Sequence, residues 1–331
     1  MRQGPHVQDH LDPTDLVRLS AWLGADVELV QQLSGGSSNV TWLVRLGGLR
    51  AVLRHPPRAR LLLPTAHDVL REATVLRALG SSTIPVPAVL ATCDDLSILG
   101  VPFVLTEQRP GVCLLTTALE GLDARGLAHH AIDTLADIHA IDVATVGIIE
   151  RDGSYLARQI DRWQRQLART STATRLGDLE PIVHWLHAHR PVDEARTLIH
   201  GDYGFHNLLV STHRIEAVLD WELCTFGDPV ADVYSFLKSW GPGAVAPNDA
   251  NDIVANAEGA PRRTELLARY ASRSGRDIGR HERFYEMFGL WRSIGMFEGI
   301  HARSGAVRFA NETPQLVARA QGMMAGAPDP R

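Results

Sequence analysis

Residues 198–232, LIHGDYGFHNLLVSTHRIEAVLDWELCTFGDPVAD, decide how the rest of the chain is read. The apolar pair Leu198-Ile199 runs into His200-Gly201-Asp202, and Asn207 stands five positions after Asp202. The β-like run Leu208–Val210, the polar turn Ser211–Arg214 and a second run Ile215–Leu219 then end on Asp220. This spells a strand–turn–strand with an Asp and an Asn at one mouth and another Asp at the exit. Phosphoryl transfer from ATP needs that inventory. One carboxylate takes or orients the proton of the attacking hydroxyl, while a carboxylate and an amide oxygen hold the Mg²⁺ that offsets polyphosphate charge.

Composition sets the wider bounds. The chain has 331 residues, 45% hydrophobic and 21% charged, which suits a globular protein of one large or two modest domains. No apolar run approaches the ~20 residues of a membrane helix. The opening MRQGPHVQDHLDP lacks the apolar stretch of a secretory signal. Cys93, Cys113 and Cys224 are widely spaced among apolar residues, as reduced packing cysteines are. A cytoplasmic protein with no membrane contact is therefore expected. The net charge of −5 gives no reason to expect a nucleic-acid partner. Lys238 is the single lysine against 32 arginines, so any other cation that meets a phosphate is an arginine or a histidine.

Upstream, the pattern begins with a short helix over 13–24, capped by Asp12 or Thr14. Strands follow at 27–33, 40–46 and 50–54, the first two joined by the Gly/Ser turn 34–39 and the last two by Gly47-Gly48. Backbone N–H groups of Gly35, Gly36, Ser37 and Ser38 are suited to lie over nucleotide phosphates. Arg54 closes the third strand, and Glu72 sits on a helix over 68–79 where it can meet that arginine. After the extended segment Ile84-Pro85-Val86-Pro87, strands at 88–92 and 102–107 flank a turn at Asp94-Asp95. Pro110-Gly111 then break the chain. The backbone of Glu107, Gln108 and Arg109 is the candidate adenine contact. Beyond 112 the periodicity is helical, at 123–141, 155–169, 179–188, 262–274, 279–303 and 313–325. Residues 242–261 read as a loop with one short helix. His184, His187 and His189 share a helix without a carboxylate or cysteine of ligand spacing, so they read as a solvated face.

The spacing Asp202-x4-Asn207 followed by Asp220 resembles a kinase catalytic loop and its metal-binding Asp, with His-Gly-Asp for His-Arg-Asp and Asp-Trp-Glu for Asp-Phe-Gly. Over essentially the whole chain the order of elements is similar to the aminoglycoside phosphotransferase and choline kinase superfamily. VLRHPP (52–57), HDVLREATVL (67–76), IPVP (84–87), GVPFVLTE (100–107), RQIDRWQRQL (158–167), HGDYGFHNLL (200–209) and AVLDWELCTFGDPVAD (217–232) resemble more narrowly its acyl-CoA-dehydrogenase-associated branch. The resemblance implies an α+β, protein-kinase-like two-lobe fold. A small N-terminal antiparallel sheet lobe with one helix spans 1–108, and a larger helical lobe spans 109–331. It implies ATP and Mg²⁺, with Asp202 as base and Asn207 and Asp220 as metal ligands. His200 would orient the loop, Glu222 would support the metal or the acceptor hydroxyl, and Asp232 would brace the loop backbone. An arginine at position 54 fits the branch. His206 departs from it, because aspartate is usual there.

Among the alternatives, a nucleotide-binding pseudokinase would lose a base or a metal ligand, and all three are present. A hydrolase lacks a Gly-x-Ser-x-Gly elbow. A P-loop kinase is excluded because the lone Lys238 makes no Gly-Lys-[Ser/Thr]. The acceptor stays open among a hydroxyacyl-CoA, an aminoglycoside or macrolide, and choline, with an acyl-CoA dehydrogenase as a partner in the same pathway for the first. Charge favours the first. Residues 262–331 hold twelve arginines and seven acids, a net +5, which leaves −10 on the first 261 residues. If those closing helices flank the acceptor, they suit an anionic hydroxyl-bearing molecule better than a polycation.

Overall fold

The computed structural model describes residues 10–33, 39–58, 68–115, 120–149, 152–170, 173–192, 194–240, 250–304 and 307–326. Strands β1 (Val27–Gln32), β2 (Val40–Leu46), β3 (Leu49–His55), β4 (Val89–Cys93) and β5 (Phe103–Glu107) form one antiparallel sheet in the order β1-β2-β3-β5-β4. Gly47 and Gly48 both take positive φ, 53° and 95°, which the tight β2–β3 turn demands and which a side chain would resist.

The period of two then sorts the side chains. Ala51 and Leu53 of β3 join Trp42, Val44, Phe103 and Leu105 on one face, under α1 (Pro13–Leu23). The Asp12/Asp15 capping box starts α1, and a left-handed Gly24 stops it. Arg54 falls on the other face, where α2 (Val69–Leu79) packs Val69 and Ala73 against Val104 of β5. A one-turn helix, α3 (Leu96–Leu99), occupies what reads in sequence as a plain turn. The Asp95 carboxylate accepts from Ser97 N at 2.8 Å and a left-handed Gly100 closes the turn, so local capping suffices to wind it.

Helices α4 (Ala124–His139), α5 (Tyr155–Thr170) and α6 (Ala173–His189) open the second part, followed by β6 (Thr197–Ile199), β7 (Leu208–Val210), β8 (Ile215–Val218) and β9 (Thr225–Gly227). β7 pairs with β8 and β6 with β9, both antiparallel. Helices α7 (Pro229–Phe236), α8 (Ala250–Ala255), α9 (Arg263–Ser274), α10 (Glu282–Ser304) and α11 (Val307–Met324) complete it. Val75, Leu76 and Leu79, on the last turns of α2, belong to the core of this helical part, so α2 is shared between the two.

The connection after β5 is paired to the β7–β8 hairpin. Gly111 has φ 103°, and a Cβ there would meet Val210 N and O at 3.1 Å. Val112 and Val210 exchange two backbone hydrogen bonds, of 2.9 and 3.0 Å. Among the histidines of α6, His187 meets Asp161 at 3.0 Å and His189 stacks on Trp185 with centroids 4.1 Å apart. No group of three His, Cys, Asp or Glu among the described residues is arranged to hold a metal. No described helix is long and apolar enough to cross a membrane. None of Cys93, Cys113 and Cys224 is in a disulfide.

Candidate active site

The loop His200–Asn207 is built around one buried carboxylate. Asp232, on the first turn of α7, accepts from His200 N at 2.8 Å and from Gly201 N at 3.2 Å. The N–H of Asp202 donates to His200 Nδ1 at 3.3 Å, which leaves Nε2 as the donor to Leu219 O at 2.9 Å. Burial pushes the His200 pKa down, so this ring is a neutral spacer between the Asp202 loop and the Asp220 strand. Gly201 has φ 82°, and a Cβ there would stand 2.7 Å from Leu223 O. That contact and that backbone exclude the arginine found at this position in His-Arg-Asp loops.

Asp202 presents its two oxygens to different partners. Oδ2 lies 3.2 Å from His206 Nε2 and accepts from Asn207 Nδ2 at 3.1 Å, whereas Oδ1 lies 3.8 Å from Arg292 Nη2. Burial alone would raise its pKa. The His206 hydrogen bond and charge, with Arg292 and Lys238, override that and hold the carboxyl well below the usual range. His206, the departure from the branch pattern, therefore contacts the candidate base itself. Asn207 commits its amide nitrogen to Asp202, both backbone and side chain, and so offers its amide oxygen to a cation.

Asp220 adopts φ 63° and ψ 60°, the one left-handed non-glycine among the described residues. Held strain of this kind gathers at functional sites. Its Oδ1 accepts from Arg54 Nη2 at 2.9 Å, and Arg54 Nη1 meets Glu72 Oε1 at 2.5 Å. Burial works against charge on Arg54, but Glu72 and Asp220 outweigh it and its pKa rises. Glu72 is 2% exposed, so the pair is interior and not a surface ion pair.

Glu222 contributes its carbonyl, which accepts from Arg71 Nη1 at 3.3 Å, while Arg71 Nη2 donates to Cys224 O at 2.6 Å. At the hinge, Glu107 N and Gln108 N donate to Ala88 O and Arg50 O, which commits both N–H groups to the sheet. The Arg109 guanidinium bridges Glu107 Oε1 and Glu216 O, at 3.1 Å each. The turn Gly35–Ser38 lies outside the described residues.

Arg54, Glu72, Asp202, Asn207, Asp220, His200 and Asp232 thus converge, and three further residues join them that the motifs alone did not name. Arg71 lies one position before Glu72. Asn251, on α8, takes Phe205 N at 2.7 Å and donates to Phe236 O at 3.0 Å. Arg292 reaches Asp202 from α10. Arg292 is the one charged residue between Met287 and Phe297, but nothing in that spacing tells which residue it meets.

Four of the twelve arginines of 262–331 are engaged elsewhere. Arg269 and Arg273 each make two-pronged pairs with Asp133 and Asp137 of α4, Arg263 meets Glu286, and Arg283 donates to Met323 O. These four are therefore committed to neighbouring helices.

Comparison with known proteins bears on the family and the fold. The phosphotransferase enzyme family (APH) profile matches residues 29–267. Acyl-CoA dehydrogenase family member 10 of Mus musculus is 33% identical over 293 residues, which cover 86% of this chain but 27% of that protein. The chain therefore spans about a quarter of that relative, and 36% of the acyl-CoA dehydrogenase family member 11 of Gallus gallus, to which it is 36% identical over 83% of its own length. A solved structure from Ralstonia eutropha JMP134, named for the aminoglycoside phosphotransferases, superposes with a TM-score of 0.75 at 25% identity, covering 94% of this chain and 98% of that one. The aminoglycoside phosphotransferase APH(4)-Ia, in ternary complex with AMP-PNP and hygromycin B, shares the fold with a TM-score of 0.64 at 20% identity, covering 95% and 98% of the two chains. By profile, fold and relatives, the chain belongs to the phosphotransferase enzyme family of small-molecule kinases.

Proposed function

We propose that this chain transfers the γ-phosphate of ATP, with Mg²⁺, to a hydroxyl of a small anionic acceptor of the hydroxyacyl-CoA type. The observation that carries the kinase reading is the meeting of Asp202, Asn207, Asp220 and the Arg54–Glu72 pair, which come from separate segments of the chain. The donor set fits a hard cation. Asn207 offers an amide oxygen and Asp220 a carboxylate on a left-handed backbone, and Mg²⁺ on a polyphosphate needs only one or two protein oxygens. When bound, the ion neutralises phosphate charge.

The remaining roles belong to the chain itself. Asp202, held ionised, accepts the proton of the acceptor hydroxyl as that oxygen attacks phosphorus. Oδ1 is the oxygen for this step, since Oδ2 already serves His206 and Asn207. Arg54 carries a fixed charge to the phosphates, and Glu72 orients it. The segment Glu107–Arg109 lines the nucleotide side, and the sequence Gly35–Ser38, outside the described residues, is suited to phosphate contact. His200 and Asp232 hold the loop, and Glu222 supports the metal side.

Two observations support the acceptor class. Relatives 33% and 36% identical carry the name of acyl-CoA dehydrogenases, along with chain that this protein does not match. A dehydrogenase acting on the same acyl-CoA is accordingly the proposed pathway partner. The charge argument now rests on Arg292 and Lys238, the cations that act on Asp202 beside His206. The test is ADP release from Mg-ATP with hydroxyacyl-CoA thioesters, and with hygromycin B and kanamycin in parallel. Thioester-dependent release that drops by roughly 10²-fold or more in Asp202→Asn is expected. Release with the cationic sugars alone would overturn the acceptor class, and release with no hydroxyl compound would overturn the kinase reading.

A further inference from the structure

Arg292 lies on α10, beyond residue 267 where the family profile ends. It is 7% exposed, and a buried guanidinium is tolerated only where its charge and donors are answered. Its Nη2 donates to Gly201 O and lies 3.8 Å from Asp202 Oδ1, and its Nη1 lies 3.4 Å from Ser235 Oγ of α7. Among the described residues, Asp202 is the one carboxylate within ion-pair distance of it.

We propose that Arg292 is a positioning residue for the base, holding the Gly201–Asp202 peptide and the Asp202 carboxylate from the closing helices. The inference rests on the reading of Asp202 as base. Gly201 is the soft point of the loop, because its positive φ comes with glycine's freedom. Its N–H is fixed by Asp232 of α7, and its C=O is fixed by Arg292 of α10. The residue is held at both ends by different helices. The carboxylate is likewise held at both oxygens, Oδ2 by His206 and Asn207 and Oδ1 by the field of Arg292. A carboxylate so pinned keeps Oδ1 facing the acceptor and does not rotate toward Asn207. The nucleotide side is held by Arg54 and Asp220 from other elements, so Arg292 acts on turnover and not on nucleotide affinity.

The experiment compares wild type with Arg292→Met, Arg292→Lys and Arg292→Ala, the last with and without added guanidinium ion. The readouts are kcat and KM for both substrates, Mg-ADP affinity by calorimetry, and Tm. Arg292→Met is expected to lower kcat about tenfold to a hundredfold, the scale of a misplaced reacting group, with Mg-ADP affinity unchanged. Arg292→Lys recovers part of that loss, because an ammonium cannot serve a carbonyl and a carboxylate as a fork does. Guanidinium raises the kcat of Arg292→Ala without raising its Tm. Wild-type kcat in a folded Arg292→Met protein overturns the proposal. So does a loss that tracks Tm and Mg-ADP affinity and does not respond to guanidinium or to lysine. If wild type transfers phosphate and Asp202→Asn does not, such a result removes the role of Arg292 alone. If wild type transfers to no hydroxyl, the role falls with the kinase reading beneath it.

Discussion

At Arg54 one planar fork spans two carboxylates, with Nη1 on Glu72 at 2.5 Å and Nη2 on Asp220 at 2.9 Å. A lysine has a single point charge on a longer-ranging stem and cannot hold both oxygens in that geometry. Arg54→Ala is therefore expected to raise KM for ATP, with a smaller effect on the acceptor. It also leaves Glu72 buried without its partner, at a cost of about 3–5 kcal/mol in stability. Arg54→Lys should recover only part of the ATP affinity. Steady-state kinetics with both substrates varied, alongside thermal unfolding, would check this, and identical ATP kinetics in all three proteins would place the phosphate cation elsewhere. Asp202, Asn207 and Asp220 were legible in the sequence because a hairpin fixes their spacing over nineteen positions. Arg292 was not, because a helix ninety residues downstream delivers it and no local spacing records that approach.

Among the elements, α2 is the most constrained. Its hydrophobic face seats it between the sheet and the helical core, and Arg71 binds it to the Glu222 and Cys224 carbonyls in the turn after Asp220. Arg71→Met removes charge-assisted donors from two carbonyls and should destabilise the fold by about 1–3 kcal/mol. Because the turn carries Asp220, KM for ATP should rise as well. An unchanged KM in a less stable protein would mean that Arg71 braces the fold alone. The boundaries of α2, β2 and β5 followed from periodicity, whereas α3 did not, since four residues carry no period and only the Asp95 cap marks them.

At the start of α7, Asp228 caps Val230 N at 2.9 Å and accepts from Tyr285 OH at 2.7 Å. Burial pushes its carboxyl up to about 6. A raised acid binds its proton more tightly in the folded state, so its stabilising contribution is complete below pH ~4 and is lost as pH rises through about 6. Asp228→Asn keeps a capping oxygen and removes the titration. Relative to wild type it should gain Tm between pH 4.5 and pH 7, and a difference that stays flat with pH would place the titration elsewhere.

Taken whole, the molecule seats α2 between the sheet and the main helical core and holds the Asp202 loop with helices α7 and α10. The sheet-rich first part and the helix-rich second part were legible because runs of period two cluster before Pro110-Gly111 and long runs of period 3.6 after it. The acceptor side was not, because counting arginines says nothing of which aspartate each one meets, and Arg269 and Arg273 meet Asp133 and Asp137. One feature of that side reaches beyond catalysis. Lys238 sits half-buried between the buried Leu237 and Ser239, on a turn whose neighbours Phe236 and Trp240 pack against Phe205 of the catalytic loop. It is also the only side-chain amine in the chain. Amine-directed acylation thus has one side-chain target, beside Asp202. Acylation at Lys238, located by peptide mass, should silence phosphoryl transfer, while Lys238→Arg should keep its activity through the same treatment.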